Sequence, residues 1–193
     1  MPRYVTTAQY KTWARNSKPT DDDQSISDAL EAAEVSLDNA CGRKFVVAGA
    51  ATARLYRPSG TDILFIHDAT TVTAISVTGS ALAATGYELQ PLNNLSPSGE
   101  SVPYHRVRRL SSYWWTANDA GTISVTGTWG WLAIPFQIKE ACKVLTKAHL
   151  DGRDITSGIV GFAPDGDAVS EREARVVRQA IRDYSRYDNA GIG

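Results

Sequence analysis

Between residues 20 and 45 the apolar positions fall three or four apart: Ile26, Leu30, Ala33, Leu37 and Cys41. That spacing draws one stripe along a helix. Thr20 followed by Asp21, Asp22 and Asp23 predicts a cap and three first-turn carboxylates, where the helix dipole favours anions. Gly42 is the expected stop. A shorter helix is predicted over Thr7 to Ala14, capped by Thr6 or Thr7 and cut off from the next by Lys18-Pro19.

From about residue 52 to 128 the period changes to two. Candidate strands are 53–57, 63–67, 72–78, 87–90, 104–110 and 122–128. Pro58-Ser59-Gly60, Thr78-Gly79, Pro91 and Asn118-Asp119-Ala120-Gly121 are among the turns between them. No helical pattern interrupts these strands, so an antiparallel sheet or small barrel is expected. A third helix should begin at Pro135 and bury Ile138, Ala141, Cys142, Leu145 and His149 or Ala148. Asp151-Gly152 should close it. A glycine-rich loop at 155–170 and a last helix from about Glu171 to Tyr187 complete the chain.

The class predicted is α+β: a small core of about four helices, with an antiparallel β-rich insertion between the second and third main helices. The boundaries expected are 1–48 with 129–193 for the helical core and 49–128 for the insertion, with 155–170 a flexible loop.

The composition adds bounds. The chain has 193 residues, 42% hydrophobic and 21% charged, and a formal net charge of −1. Such a chain buries a core without staples and has no global electrostatic pull towards nucleic acid or acidic membranes. Cys41 and Cys142 sit on apolar helix faces and are read as buried thiols, with a disulfide the minority option. The N-terminal stretch lacks an apolar signal core, and no apolar run approaches the ~20 residues of a membrane span. A soluble protein made in a cytoplasm is expected.

Enzymatic motifs are absent. His67, His105 and His149 lie on three separate elements, without metal-ligand spacing. The run Asp21–Asp23 is explained by a helix start more simply than by a cation. The stretch "GIVGFAPDG" lacks the Gly-Lys-Ser/Thr ending of a phosphate cradle. No serine or cysteine has a nucleophile-elbow setting. No catalytic residue, metal or cofactor is nominated.

Two constellations remain, with one corner. On the last helix Arg172, Arg175, Arg178, Arg182 and Arg186 fall within about a third of the circumference. Ala174, Val177, Ala180, Ile181, Tyr184 and Tyr187 take the opposite arc. Five arginines against three carboxylates leave this segment at +2. The face is either the solvated side of a docked helix or a contact for an acidic partner surface or passing phosphates. In "YHRVRRLSSYWW", Tyr104 to Trp115, basic and aromatic residues interleave as in single-strand-binding platforms. Here Arg106, Arg108 and Arg109 form a candidate DNA or partner patch, and Trp114 and Trp115 are subunit-interface or packing candidates. The plainer reading is a sheet face dressed with long side chains. At the strand-to-helix corner, Trp129 and Trp131 flank Gly130 as packing or subunit-interface candidates.

The strand "TISVTGTWGW", running through Ile134-Pro135 into "FQIKEACKVLTKAHLDGRD", resembles the head-to-tail connector, or adaptor, proteins of tailed bacteriophages. So do the helix ending in "ACGRKF" and the terminal helix rich in arginine and tyrosine. The resemblance covers roughly residues 20–45 and 122–187. The β-section is longer than a minimal adaptor's. What the resemblance implies is a structural virion protein without enzymatic activity. It would form a homo-oligomeric, twelve-fold ring beneath the portal at the capsid vertex, after synthesis in the host bacterial cytoplasm. It would bind the portal protein and receive a stopper, head-completion or tail protein. Double-stranded DNA would pass through without sequence-specific binding, and no membrane would be involved. The arginines of the last helix, with Tyr184 and Tyr187, become portal-side candidates by the same resemblance. The alternatives are another connector, either stopper or tail-completion protein, and a nucleic-acid-binding module.

Overall fold

A computed structural model describes residues 4–14, 22–57, 60–95, 99–110, 115, 123–153 and 171–186. These divide into two compact units, one from residues 1–45 with 134–193 and one from 46–133. Among the described residues the class is α+β, with helices in the first unit and an antiparallel six-stranded sheet in the second.

The helical unit contains α1 (Thr7–Ala14), α2 (Asp23–Cys41), α3 (Phe136–Arg153) and α4 (Glu171–Tyr184). Thr6 caps α1 reciprocally: its Oγ1 accepts from Gln9 N, and its own N–H donates to Gln9 Oε1. The cap of α2 is Asp22 rather than Thr20, and its carboxylate accepts from Ser25 N at 2.6 Å. A side-chain oxygen two residues closer to the stripe reaches the first open N–H groups better, so only Asp23 remains in the first turn. Gly42 closes α2 at φ +63°, with Arg43 N donating to Asp38 O. Ile26, Leu30, Ala33, Leu37 and Cys41 are all fully buried, as their spacing requires. The carbonyl of Pro135 accepts from Lys139 N, so this proline caps α3 instead of forming its first helical residue. Ile138, Ala141 and Cys142 are buried as expected. Val144 and Thr146 are buried beside them while Leu145 is only partly so, because α3 packs against both α2 and α4 and needs a wider stripe. Thr146 satisfies its hydroxyl on Cys142 O.

The sheet runs β1 (Thr52–Tyr56), β6 (Ile123–Trp129), β2 (Ile63–Val77), β5 (Tyr104–Arg109) and β4 (Tyr87–Gln90). The short β3 (Ser80–Ala81) sits on the end of β2. The two strands expected over 63–67 and 72–78 are one strand. Its first half pairs with β5 and its second with β6. Register shifts near Ala69 and Val72 mark bulges, and these disrupt the alternation that a sequence reader follows. Leu64, Ile66, Val107, Ile75, Ile123 and Val125 make the core of this unit with Trp115 and Trp129.

Two buried groups, Tyr4 and Cys41, and the half-buried Asp38 couple the helical unit to pH. Tyr4 Oη donates to Asp38 and accepts from Phe45 N at 2.8 Å. Burial and that carboxylate hold the Tyr4 hydroxyl far above the ordinary tyrosine range. Burial pushes the Cys41 thiol up to about 11 and raises the Asp38 carboxyl, against the pull of the Tyr4 hydrogen bond and Lys44. The unfolded chain releases the Cys41 and Tyr4 protons first, near the ordinary values of roughly 8.5 and 10, so ionisation favours unfolding. The stability of this unit should be level to about pH 8 and fall as pH rises towards 11. Urea denaturation at pH 8 and 10 measures the fall. Cys41→Ala should reduce the slope whatever it does to the absolute stability.

Candidate functional site

The sequence of α4 is strongly amphipathic, and the fold uses its apolar arc. Ala180 and Tyr184 are buried. Tyr184 meets Phe45 edge-on at 5.9 Å, and Phe45 meets Tyr4 in the same way. The N–H of Arg186 donates to Cys41 O at 2.9 Å, just beyond the helix. Towards the other end Glu173 pairs with Lys147 at 3.1 Å. The helix is thus fastened near both ends. Arg172, Arg175, Arg178 and Arg182 lie on the exposed side, while Arg186 is half-buried. Tyr184, nominated from sequence as a partner contact, is a core residue. Tyr187 lies outside the described residues, as does the loop 155–170. The helix ends at Tyr184, three residues earlier than expected.

The arginines of β5 do not form one patch. Val107 is fully buried, so strand alternation sends Arg106 and Arg108 to one face of the sheet and Arg109 to the other. Each is engaged within the unit. Arg106 lies 5.3 Å from the ring centroid of its cross-strand neighbour Phe65. Arg108 Nε pairs with Asp62 at 3.1 Å. Arg109 covers the Trp115 ring at 5.3 Å.

Trp115 is buried: its indole N–H donates to Asp62 O at 2.9 Å, and its own backbone N–H donates to Thr61 O. It anchors the sheet rather than an outside partner. Trp114 lies outside the described residues. Trp129 is 7% exposed. Its indole N–H donates to Thr52 O at 2.9 Å, Arg54 stacks on its ring at 4.6 Å, and Tyr56 and His67 flank it. Tyr56 Oη and His67 Nδ1 share a hydrogen bond of 2.8 Å.

Gly130 adopts φ +126°, and a β-carbon there would lie 2.3 Å from Val46 O. The corner is stitched around it. Gly130 N donates to Asp68 O, Trp131 N to Val46 O, and Ala48 N to Trp131 O, each at 2.8 Å. Trp131 is buried, and its backbone forms a parallel bridge with Val47. Both tryptophans, named from sequence as packing or interface candidates, are buried on either side of this glycine.

No family model matches the sequence, and no curated protein matches it. Solved structures do. The fold is similar to that of chains from gene transfer agent particles. One, from the virion of a native gene transfer agent particle, has a TM-score of 0.56 at 15% identity, over 94% of this chain and 89% of the other. A second is from the neck of an empty particle computed with C6 symmetry, with a TM-score of 0.54, 15% identity and the same coverage. A third, from the neck of a native particle computed with C12 symmetry, has a TM-score of 0.51 at 15% identity, over 93% and 87%. At this identity the likeness establishes a shared fold that extends through both units.

One surface was not legible in the sequence. Val5, Ala8, Trp13 and Phe136 line a groove of about 500 Å³ in the helical unit with Lys139 and Lys143. Phe136 is 66% exposed. Trp13 Nε1 and Lys143 Nζ both bond Glu140, at 3.2 and 2.6 Å. The only sequence signal was a phenylalanine after the capping proline, off the buried stripe of α3. Among the described residues no cluster of His, Cys, Asp and Glu is suited to a metal, and no helix is long and apolar enough to cross a membrane.

Proposed function

We propose that this chain is a structural neck component of a phage-like particle, acting as a head-to-tail adaptor. In this reading copies of it form a ring beneath the portal, extend the DNA channel and receive the stopper or tail. The observation that carries the reading is the fold likeness to gene transfer agent virion and neck chains over about nine-tenths of both partners. The symmetry of those necks motivates the ring. The sequence resemblance to phage adaptors points the same way and rests on different grounds.

The arginine face of α4 is the portal-side surface in this proposal. Four exposed guanidiniums on one side of a helix fastened near both ends offer fixed, fork-shaped donors to carboxylates. Removing the whole helix would be a poor test, because Ala180 and Tyr184 belong to the core. Charge reversal at the exposed positions is clean. Arg172→Glu, Arg178→Glu and Arg182→Glu together should leave the fold intact and weaken portal binding by tenfold or more, at about 0.2–1 kcal/mol per lost pair plus new repulsion. Co-elution with purified portal reads this out. Undiminished binding by a folded triple variant rules out this face as the contact.

A further inference from the structure

A ring of identical subunits needs two different surfaces on each copy, one fitting the other. We propose that the exposed face of α2 on one copy docks into the α1–α3 groove of the next. The proposal rests on the ring reading above and adds a subunit contact to it.

The two surfaces are chemically matched and lie on different elements. Helix α2 carries Asp23, Asp28, Glu31, Glu34 and Asp38 and no basic residue. At a hundred degrees per residue, Val35 falls about 180° from the centre of the buried stripe, with Asp28 and Glu31 close on the same side. Val35 is 52% exposed, and Asp28 and Glu31 are exposed around it. That is an apolar knob within a negative field. The groove is the complement: apolar Ala8, Trp13 and Phe136 over the buried Val5, flanked by Lys139 and Lys143. No residue of α2 lines it. Lys143 already shares Glu140 within the subunit. Lys139 has no carboxylate partner among the described residues and can meet Glu31 of a neighbour. A small apolar anchor within a charged surround is how a modest interface excludes water. Because the acidic face and the groove are different surfaces, the contact repeats head to tail and can close into a ring.

Cysteine cross-linking tests the contact. Val35→Cys and Thr12→Cys place one thiol on the knob and one in the groove. The native Cys41 and Cys142 are buried and serve as background. With copper–phenanthroline as the oxidant, a mixture of the two single variants should give disulfide-linked heterodimers. A chain carrying both substitutions should give a ladder of multimers. Lys139→Glu should slow ladder formation about fivefold, and adding Glu31→Lys in the same chain should restore it. Homodimers of Val35→Cys alone would mean that α2 pairs with itself. A Thr12→Cys thiol closed to small alkylating reagents would mean that the chain's own segments fill the groove. Either result, or no ladder at high protein concentration, overturns the proposal. Rings on portal without a ladder would leave the ring reading standing and remove only this contact. A ladder without portal binding would do the reverse.

Discussion

Gly130→Ala should cost the β-unit about 3 kcal/mol or more. Two independent effects add. The native φ of +126° lies where residues with a side chain are strained. The new methyl would also sit 2.3 Å from Val46 O and about 3.1 Å from Ala48 N, and both are backbone atoms. A side chain could swing aside, but these atoms cannot, because Val46 O accepts from Trp131 N and Ala48 N donates to Trp131 O. Relief therefore means opening those bonds, and opening them unpicks the corner. The expected result is a large drop in the urea midpoint, read by tryptophan fluorescence. A change within 0.5 kcal/mol would mean that the corner relaxes freely.

The second large effect is Trp129→Ala, expected to destabilise the same unit by about 3–5 kcal/mol. The indole is almost wholly buried, fills the space beside Tyr56 and His67, and caps Thr52 O. Truncation leaves a cavity, a Thr52 carbonyl on edge strand β1 without its indole donor, and an Arg54 without its ring. Trp129→Phe should keep most of the packing and lose about 1–2 kcal/mol through the missing N–H. Denaturation curves of the three proteins order them. A folded, fully stable Trp129→Ala that failed only in assembly would place this residue at an interface instead of in the core.

Helix α2 was readable almost to the residue, because its stripe, its acidic start and its terminal glycine all express one local geometry. The cap moved from Thr20 to Asp22 because several adjacent polar residues can each serve as cap and the stripe does not choose between them. Strand β2 was split in two, since a bulge shifts side-chain alternation in the same way as a break. The surfaces were less legible. Interleaved arginines and aromatics at Arg106, Arg108, Arg109 and Trp115 look like a platform in one dimension. The partners of Arg106, Arg108 and Trp115 are Phe65 and Asp62, which lie more than forty residues away in sequence. The groove is assembled from residues about 130 apart, none of which belongs to a local pattern.

The proposed function requires this chain to assemble on a portal as part of a neck. The most direct test is molar mass by light scattering, measured for the purified protein alone and after mixing with portal. Alone, the 20.9 kDa subunit should be largely monomeric when dilute. Mixed with portal, it should enter one complex holding a full ring of copies. A portal peak that gains no mass, with this chain eluting separately, would contradict the proposed function.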